Sequence, residues 1–327
     1  MKKLILIDGH AIIHRAFHAI QPLNTSSGEL VNAVFGFTSM LLNVLEIEKP
    51  DYIAVTFDKK GATFRHHADE TYKATRSKCP DELVMQIKRV YEIVRSFNIP
   101  IFAQAGFEAD DMLGSIVERV KSEEDLKTII VSGDRDLLQL VNEKVSLHDL
   151  NGGYRKSIQF TPTEVEAKYG LPAKLIPDFK GLVGDSSDNI AGVIGIGPKN
   201  ASELLQKYGN LEGVYANIEE IKPTTREKLI AGKDSAFHSR MMATIRRDAQ
   251  FDWSLEACKL SDFDREKVIQ LFDELEFYSL SKRLEKLFPK LMEIIKPKPT
   301  QTSLFGFPET KSILNFECFL VIGKYKN

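Results

Sequence analysis

Acidic side chains dominate the six residues from Gly106 to Asp111, whose sequence is Gly-Phe-Glu-Ala-Asp-Asp. Glu108 and Asp111 are three positions apart, so they share one face of the helix that the following apolar residues predict, and Asp110 lies beside them. Carboxylates this close repel each other unless a positive group lies among them. A divalent metal ion compensates them far better than a helix N-terminus, which contributes less than about 1 kcal/mol per charge. The stretch alone therefore indicates either a metal site or an ordinary acid-rich helix start.

Further carboxylates follow predicted strands along the first half of the chain. Strands that alternate with helices predict a mostly parallel sheet covered on both faces. In such sheets, functional sites form outside the carboxyl ends of the strands, so we expect these acids to meet at one edge. The positions are Asp8 after residues 4–7, Asp58 after 52–57, the Glu108 cluster after 99–102, and Asp134 after 126–131.

Two acidic pairs extend this set, one in Asp134-x-Asp136 and one in Gly184-Asp-Ser-Ser-Asp-Asn189. Sites made only of carboxylates suit Mg²⁺ or Mn²⁺, and the absence of accompanying His or Cys argues against zinc. Nine acids are too many for one Mg²⁺ but reasonable for two ions, with some acting through water. Two neighbouring ions are the usual device for phosphodiester hydrolysis, because they activate water and offset charge on the attacking and leaving oxygens. The nine candidate ligands are Asp8, Asp58, Glu108, Asp110, Asp111, Asp134, Asp136, Asp185 and Asp188.

From about Thr161 the pattern predicts helices only. Thr161-Pro-Thr-Glu164 is a capping box with proline at the first helical position. Helices are also predicted earlier in the chain, over residues 32–46 and 80–97, and a fifth strand over 145–148. The later predicted helices cover residues 175–183, 199–208, 227–231, 235–248, 265–275 and 279–287.

A glycine-rich stretch, Gly192-Val-Ile-Gly-Ile-Gly-Pro-Lys199, precedes one of these helices. Backbone N–H groups followed by a helix N-terminus favour phosphate binding. No predicted strand precedes the stretch, which argues against a Rossmann or P-loop site. We interpret it as a hairpin that binds the DNA backbone without reading sequence, with a tight helix–helix turn as the alternative.

The segment between Asp58 and Pro80 interleaves basic and aromatic residues. This composition suits single-stranded nucleic acid, since the charges meet phosphates and the rings stack on bases. A solvated charged face is the alternative. The basic residues are Lys59, Lys60, Arg65, Lys73, Arg76 and Lys78, and the aromatic ones are Phe64, His66, His67 and Tyr72.

Composition limits the class of protein. The 327 residues are 43% hydrophobic, and no apolar run approaches the length of a membrane span. The apolar run before Asp8 is too short for a signal peptide, and three scattered cysteines suggest a reducing cytoplasm. The net charge of −2 does not argue against a nucleic-acid-binding protein. A cluster of carboxylates would offset the charge of a basic binding surface in the total.

Together these motifs resemble the 5′ nuclease family, and are most similar to the N-terminal 5′–3′ exonuclease domain of bacterial DNA polymerase I. The resemblance covers residues 1–290. It rests on Asp8-Gly-His, Arg15-Ala-Phe-His, Phe57-Asp-Lys59, Phe64-Arg-His66, Tyr72-Lys73, Arg76, Gly106 to Asp111, Ser132-Gly-Asp-Arg-Asp136, Gly184 to Asn189 and Gly192 to Lys199.

The resemblance implies an α/β fold with a PIN-like core and a mostly parallel sheet. It assigns residues 1–170 to the catalytic domain, with a helical arch at about 60–85. Residues 171–290 become an all-helical DNA-binding region with a helix–three-turn–helix at 192–199. It assigns residues 291–327 to a linker and tail. The chain is then expected to be either a stand-alone nuclease or a truncated polymerase I.

Roles for individual residues follow from the same resemblance. It implies one metal near Asp8, Asp58, Glu108, Asp110 and Asp111, and a second near Asp134, Asp136, Asp185 and Asp188. Carbonyls of the hairpin can also hold K⁺ in the family. Arg15, Arg65, Lys73 and Arg76 match basic residues near the scissile phosphate, where Lys73 and Arg76 would stabilise negative charge. The expected DNA contacts are Tyr72, Gly192, Gly195, Gly197, Lys199 and His14, the last standing where the family usually has tyrosine.

The implied function is a structure-specific 5′–3′ exonuclease and flap endonuclease, acting with Mg²⁺ or Mn²⁺ in primer removal and repair. Its expected substrates are DNA with a 5′ flap, nick or 5′ end, and RNA primers in RNA–DNA hybrids. We expect a monomer in the cytoplasm, at the bacterial nucleoid and away from the membrane, alongside a partner polymerase. Gln301, Leu304 and Phe305 resemble a peptide that docks on the sliding β-clamp.

Two rival functions remain open on the sequence. A PIN-type ribonuclease would explain the acids but not the hairpin and arch. A non-catalytic, structure-specific DNA-binding or clamp-associated module would explain the basic segments but leave nine acids without a role.

Overall fold

The computed structural model describes residues 1–76, 78–150 and 153–289. The acidic and basic motifs are carried by one six-stranded sheet and the helices around it. The strands are β1 (Lys2–Asp8), β2 (Tyr52–Thr56), β3 (Ile101–Phe102), β4 (Leu126–Ser132), β5 (Val145–Asp149) and β6 (Ile158–Phe160).

Helices connect the strands and form the second half of the chain. They are α1 (Gly9–Ala19), α2 (Asn32–Glu48), α3 (Phe64–Ala68), α4 (Asp81–Ser96), α5 (Ala109–Arg119), α6 (Pro162–Tyr169), α7 (Ile176–Val183), α8 (Pro198–Tyr208), α9 (Leu211–Ala216), α10 (Pro223–Ala231), α11 (Lys233–Ala243), α12 (Arg265–Glu274) and α13 (Tyr278–Leu287). No helix in the described part of the chain combines the length and apolarity needed to cross a membrane.

The strand order in the sheet is β3-β2-β1-β4-β5-β6. All neighbours are parallel except β6, which runs antiparallel to β5. Five consecutive strands, from β3 to β5 in the sheet order, therefore end at one edge, and the chain order reverses at β1. The predicted, mostly parallel α/β sheet is confirmed.

The sheet has two buried faces because β1 is apolar at every position from Leu4 to Ile7. Ile5 and Ile7 face a core that α1, α2 and α4 cover, whereas Leu4 and Leu6 face a core shared with α5. Helices α7 to α11 enclose a third core of their own, which includes Leu182, Leu205 and Leu229. The two faces hold the strands rigidly, so the side chains at their ends have fixed positions.

Several elements differ from the sequence-based expectation. The helix predicted over 235–248 ends at Ala243, and the strand predicted over 99–102 is only two residues long. Helices α1 and α9 and strand β6 were not predicted, and α3 is a short helix within the predicted helical arch. Helices α12 and α13, which we expected in the helical DNA-binding region, pack on α2 and α4 in the first core. Their apolar faces belong to that core because Val268, Phe272 and Leu284 are completely buried there.

Candidate active site

A cavity of about 400 Å³ lies at the edge where β1, β2 and β4 end. Five of the nine predicted metal ligands line it together with two histidines and two basic residues, which places the acids of four strand ends in one pocket. The lining consists of Asp8, His10, Ala11, His14, Asp58, Lys73, Arg76, Glu108, Ala109, Asp110 and Asp134.

Asp8 lies at the centre of this edge, where β1 passes directly into α1. Its carboxylate caps α1 by accepting a hydrogen bond from the Ala11 N–H (3.1 Å) and another from the Ser132 hydroxyl (2.8 Å). The residue is 6% exposed, and burial raises its pKa to about 7, with Asp58 and Asp134 adding repulsion. A carboxyl group this poorly compensated favours a cation beside it.

Asp58 follows β2 and is held by the next helix. The Ala109 N–H donates to its carboxylate (2.7 Å), and the Asp58 N–H donates to Nδ1 of His10 (2.9 Å). Because a backbone N–H can only donate, Nδ1 accepts, so the neutral His10 ring carries its proton on Nε2. His10 lies two positions after Asp8, a proximity that could have indicated it as part of the site.

Glu108 and Asp111 form a capping box at the start of α5. The ligand oxygens of Glu108, Asp110 and Asp111 lie within 4.8 Å of one another, as a cation site requires. Burial and the charge of Asp111 raise the pKa of Asp110 well above its usual range. Burial also acts to raise the pKa of Glu108, but Lys73 and Arg65 outweigh it and lower that pKa.

Arg65 is buried behind this cluster, with only 2% of its surface exposed. Its guanidinium donates to Glu108 (2.9 Å) and to both oxygens of Asp111 (2.8 and 2.9 Å). It also donates to the carbonyls of Met242 (2.9 Å) and Thr244 (3.0 Å) at the end of α11. All of its N–H donors are engaged inside the protein, so this geometry does not support the expected contact with a substrate phosphate.

The contact with Arg65 also bears on Asp111, which is completely buried. Its two oxygens accept from Arg65, from the Glu108 N–H (3.1 Å) and from the Arg246 N–H (2.8 Å). A metal at the Glu108 cluster would therefore share Asp111 with Arg65. The same contacts explain why α11 ends early, since Arg65 and Asp111 bind the backbone around Thr244 in an extended conformation.

The second acidic group surrounds Lys180 of α7, a residue that the sequence reasoning missed. Its ammonium group donates to both Asp136 and Asp185. Asp134 accepts from the Asp136 N–H (2.8 Å) and faces the cavity. Burial opposes ionisation of Asp185, but Lys180 outweighs it and lowers the pKa of that carboxyl. The only sequence signal for Lys180 was a lysine in the helix that precedes the acidic loop.

The segment Tyr72 to Arg76, at the base of the predicted arch, lies between the two acidic groups. Lys73 donates to Glu108 (2.7 Å), and Arg76 donates to Asp188. The Tyr72 hydroxyl lies 2.9 Å from Glu108 and 3.2 Å from Asp188. The tyrosine is buried, so its ring is not available to stack on a base as predicted.

The remaining arginine and histidine predictions fall on α1. His14 lines the cavity, and burial together with His10, His18 and Arg76 lowers its pKa. Arg15 lies on the same helix, and its guanidinium approaches Gly133 at the turn after β4.

The predicted hairpin is a tight turn fixed by α11. The Gly192 N–H donates to Ser239 Oγ (3.0 Å), and the Ser235 hydroxyl donates to the Gly192 carbonyl (2.6 Å). Gly192 has φ +65°, and a Cβ there would lie 2.3 Å from the Gly184 nitrogen, so only glycine fits. Gly197 caps α8, whose first turn carries Lys199.

A lysine outside the predicted motif completes the hairpin. Lys228 Nζ donates to the Gly195 carbonyl (3.2 Å), and Ile194 at the tip is 90% exposed. The K⁺ ion that the resemblance implied would compete with Lys228 for the Gly195 carbonyl and with Ser235 for that of Gly192. K⁺ binding at these carbonyls stays a prediction.

Comparison with known proteins decides the family. The profile of the 5′-3′ exonuclease N-terminal resolvase-like domain matches residues 3–170, and that of the 5′-3′ exonuclease C-terminal SAM fold matches residues 171–266. The chain belongs to the 5′-3′ exonuclease family. The predicted resemblance to 5′ nucleases is thereby confirmed.

A relative of similar sequence supports this family assignment. The chain is 45% identical over 284 residues to DNA polymerase I of Caldicellulosiruptor bescii. The aligned residues make up 86% of this chain and 33% of the relative. The chain thus spans about a third of that relative's length.

Solved structures support the fold. T5 5′-exonuclease with bound zinc superposes with a TM-score of 0.62 at 18% identity, covering 88% of this chain and 98% of the other. The catalytic core of Rad2 in complex with a DNA substrate superposes with a TM-score of 0.56 at 18% identity, covering 88% of this chain and 92% of the other.

Proposed function

We propose that this exonuclease-family chain is a structure-specific 5′ nuclease that hydrolyses DNA phosphodiesters at 5′ ends and 5′ flaps and leaves 5′-phosphates. The observation that carries this proposal is the cavity in which carboxylates from four strand ends face Lys73 and Arg76. Acids alone would repel a phosphodiester, whereas acids that hold cations beside basic side chains can bind and cleave one.

The donor set suits two divalent ions, Mg²⁺ or Mn²⁺. Asp8, Asp58, Glu108 and Asp110 face the cavity as one group, with Asp111 behind them. Asp134, Asp136, Asp185 and Asp188 form the other. Four cationic side chains already contact these carboxylates: Arg65 on Glu108 and Asp111, Lys73 on Glu108, Arg76 on Asp188, and Lys180 on Asp136 and Asp185. When bound, the ions would activate water and offset the charge on the attacking and leaving oxygens.

The chain's own residues would bind and orient the substrate. Lys73 and Arg76 would move from the carboxylates to the scissile phosphate once other cations compensate Glu108 and Asp188. His14 would contact the nucleotide beside the cut, since it lines the same cavity. The buried Asp8 would hold its ion rigidly because two protein donors already orient its carboxylate.

Duplex DNA would lie against the hairpin. The N-terminus of α8 and Lys199 supply positive charge there, and Lys228 adds a further cation near the tip. Such contacts bind phosphates without reading bases. The substrates we propose are nicked and flapped DNA and RNA primers in hybrids, in replication and repair.

Further partners are proposals that rest on the sequence and on the relatives. A polymerase would act on the same DNA, because the matching relatives are DNA polymerase I chains. Gln301, Leu304 and Phe305, the proposed sliding β-clamp peptide, lie outside the described residues. We propose that the chain acts as a monomer in the cytoplasm at the nucleoid.

The decisive test is Mg²⁺-dependent cleavage of flap, nicked, single-stranded and RNA-primed substrates. Asp134→Ala should lower flap cleavage at saturating Mg²⁺ by more than roughly 10–100-fold. That range is the usual loss when a residue that only hydrogen-bonds to a metal ligand is removed. Asp252→Ala, in an exposed loop, is the control and should retain full activity. Unchanged cleavage by Asp134→Ala would refute the second metal site, and cleavage of RNA alone would favour the PIN-type ribonuclease.

A further inference from the structure

Tyr72 is buried, unlike a residue whose ring stacks on a DNA base. Only 4% of its surface is exposed, and its ring packs among Ile190, Met242 and Ala243. A base could not reach the face of this ring without displacing that cluster. The part of Tyr72 that remains for a polar role is therefore its hydroxyl group, which points towards the carboxylates.

The hydroxyl joins the two acidic groups of the active site. It lies 2.9 Å from Glu108 Oε2 and 3.2 Å from Asp188 Oδ2. Glu108 begins α5 on the side of the first group, whereas Asp188 lies on the loop after α7 with the second. Both contacts are buried, so the hydroxyl connects segments that are far apart in the sequence.

Backbone contacts fix the tyrosine from both sides. The Lys73 N–H donates to the Asp188 carbonyl (3.0 Å), and the Asn189 side-chain amide donates to the Thr71 carbonyl (2.8 Å). Lys73 and Asn189 both adopt positive φ, at +57° and +59°. Positive φ is uncommon for a lysine, although asparagine adopts it more readily. The segment that carries Tyr72 is thus pinned to the loop that carries Asp188.

A tyrosine differs from the neighbouring cations in how it would respond to metal. Lys73, Arg76 and Lys180 carry charge and would be repelled by divalent ions placed among the same carboxylates. The phenol is a neutral donor with one proton. It can keep its hydrogen bond to a carboxylate while the carboxylate also binds a metal, as outer partners of metal ligands do.

We propose that Tyr72 is a positioning residue whose hydroxyl sets the spacing of Glu108 and Asp188, and thereby of the two metal ions. This inference rests on the proposed function. Tyr72 itself contacts neither the ions nor the scissile phosphate. Its effect reaches the reaction through the two carboxylates.

The test is Tyr72→Phe in the full chain, because phenylalanine keeps the ring and its packing. We expect the affinity for Mn²⁺, measured calorimetrically without DNA, to fall about 10–100-fold for at least one ion. The kcat of flap cleavage should fall by a similar factor, while KM for the flap stays unchanged. A purely structural role for Tyr72 would leave the Mn²⁺ affinity of the folded protein unaltered.

Tyr154→Phe is the matched control. Tyr154 is equally buried, and its hydroxyl donates to Glu48 (2.8 Å) away from the cavity. The Tyr154→Phe variant loses the same kind of hydrogen bond and should keep the Mn²⁺ affinity and the kcat of the wild type. Wild-type affinity and kcat in Tyr72→Phe would overturn the inference, as would an equal loss of both in Tyr154→Phe. Absence of flap cleavage and Mn²⁺ binding in the wild type would instead overturn the proposed function.

Discussion

Arg65 offers the sharpest distinction between a residue that binds substrate and one that supports the site. Replacing it with methionine keeps an unbranched apolar side chain in the same volume but removes the guanidinium. Asp111, with no exposed surface, would then be a buried charge without its main partner. Two carbonyls, of Met242 and Thr244, would lose their donor as well.

The structure sets the size of this effect. Removing one partner of a buried ion pair costs about 3–5 kcal/mol, because the other charge stays desolvated. Domains are stable by only about 5–15 kcal/mol, so Arg65→Met should lose roughly a fifth or more of the free energy of unfolding. Arg65→Lys keeps the charge but not the planar fork, and should lose less.

The assay is urea unfolding followed by circular dichroism in EDTA. The salt dependence of flap-DNA binding is measured on the same proteins. Arg76→Met is the control, since Arg76 is half-exposed and faces the cavity. It should cost little stability but reduce the salt slope by about one phosphate contact. Arg65→Met with full stability and a reduced salt slope would refute our reasoning and restore Arg65 as a phosphate contact.

Two further predictions concern the same carboxylates. Lys180→Ala should destabilise the metal-free protein, because Asp136 and Asp185 then repel each other, and saturating Mg²⁺ should restore its melting temperature. Thermal unfolding with EDTA and with Mg²⁺ tests this, and equal losses in both would argue against a cation site there. Asp8 has a folded-state pKa of about 7, above its ordinary 3.8, so the unfolded state binds fewer protons between these values and stability falls as pH rises through them. In EDTA, Asp8→Asn should abolish this decline and be more stable than the wild type above about pH 7, whereas a parallel pH–stability curve would contradict the assigned pKa.

Local patterns were sufficient to predict the frame of the site. The apolar runs before Asp8, Asp58 and Asp134 are β-strands, and the sheet is mostly parallel, as alternating strands and helices predicted. Because parallel strands end at one edge, the convergence of their acids followed from the topology. The Thr161 capping box also begins α6 as predicted.

Other elements were missed because short elements depend on their neighbours. Helix α1 carries His14 and Arg15, but its apolar residues blend into the strand before it. Strand β3 is limited to two residues, since only Ile101 and Phe102 pair with β2. Helix α11 stops where Arg65 and Asp111 bind the backbone, contacts that no local pattern contains.

The sequence by itself determined which residues are acidic, which are basic, and which of the acids follow the main strands, because those features are local. Only the tertiary structure decided which side chains are buried and which groups each one contacts. It buries Arg65 and Tyr72 beside carboxylates, places Lys180 between two acids, and presents Lys73 and Arg76 to the cavity. The physical reason is that burial and charge pairing arise between residues far apart in the chain, so motif membership alone cannot separate a group that meets substrate from one that holds its neighbours in place.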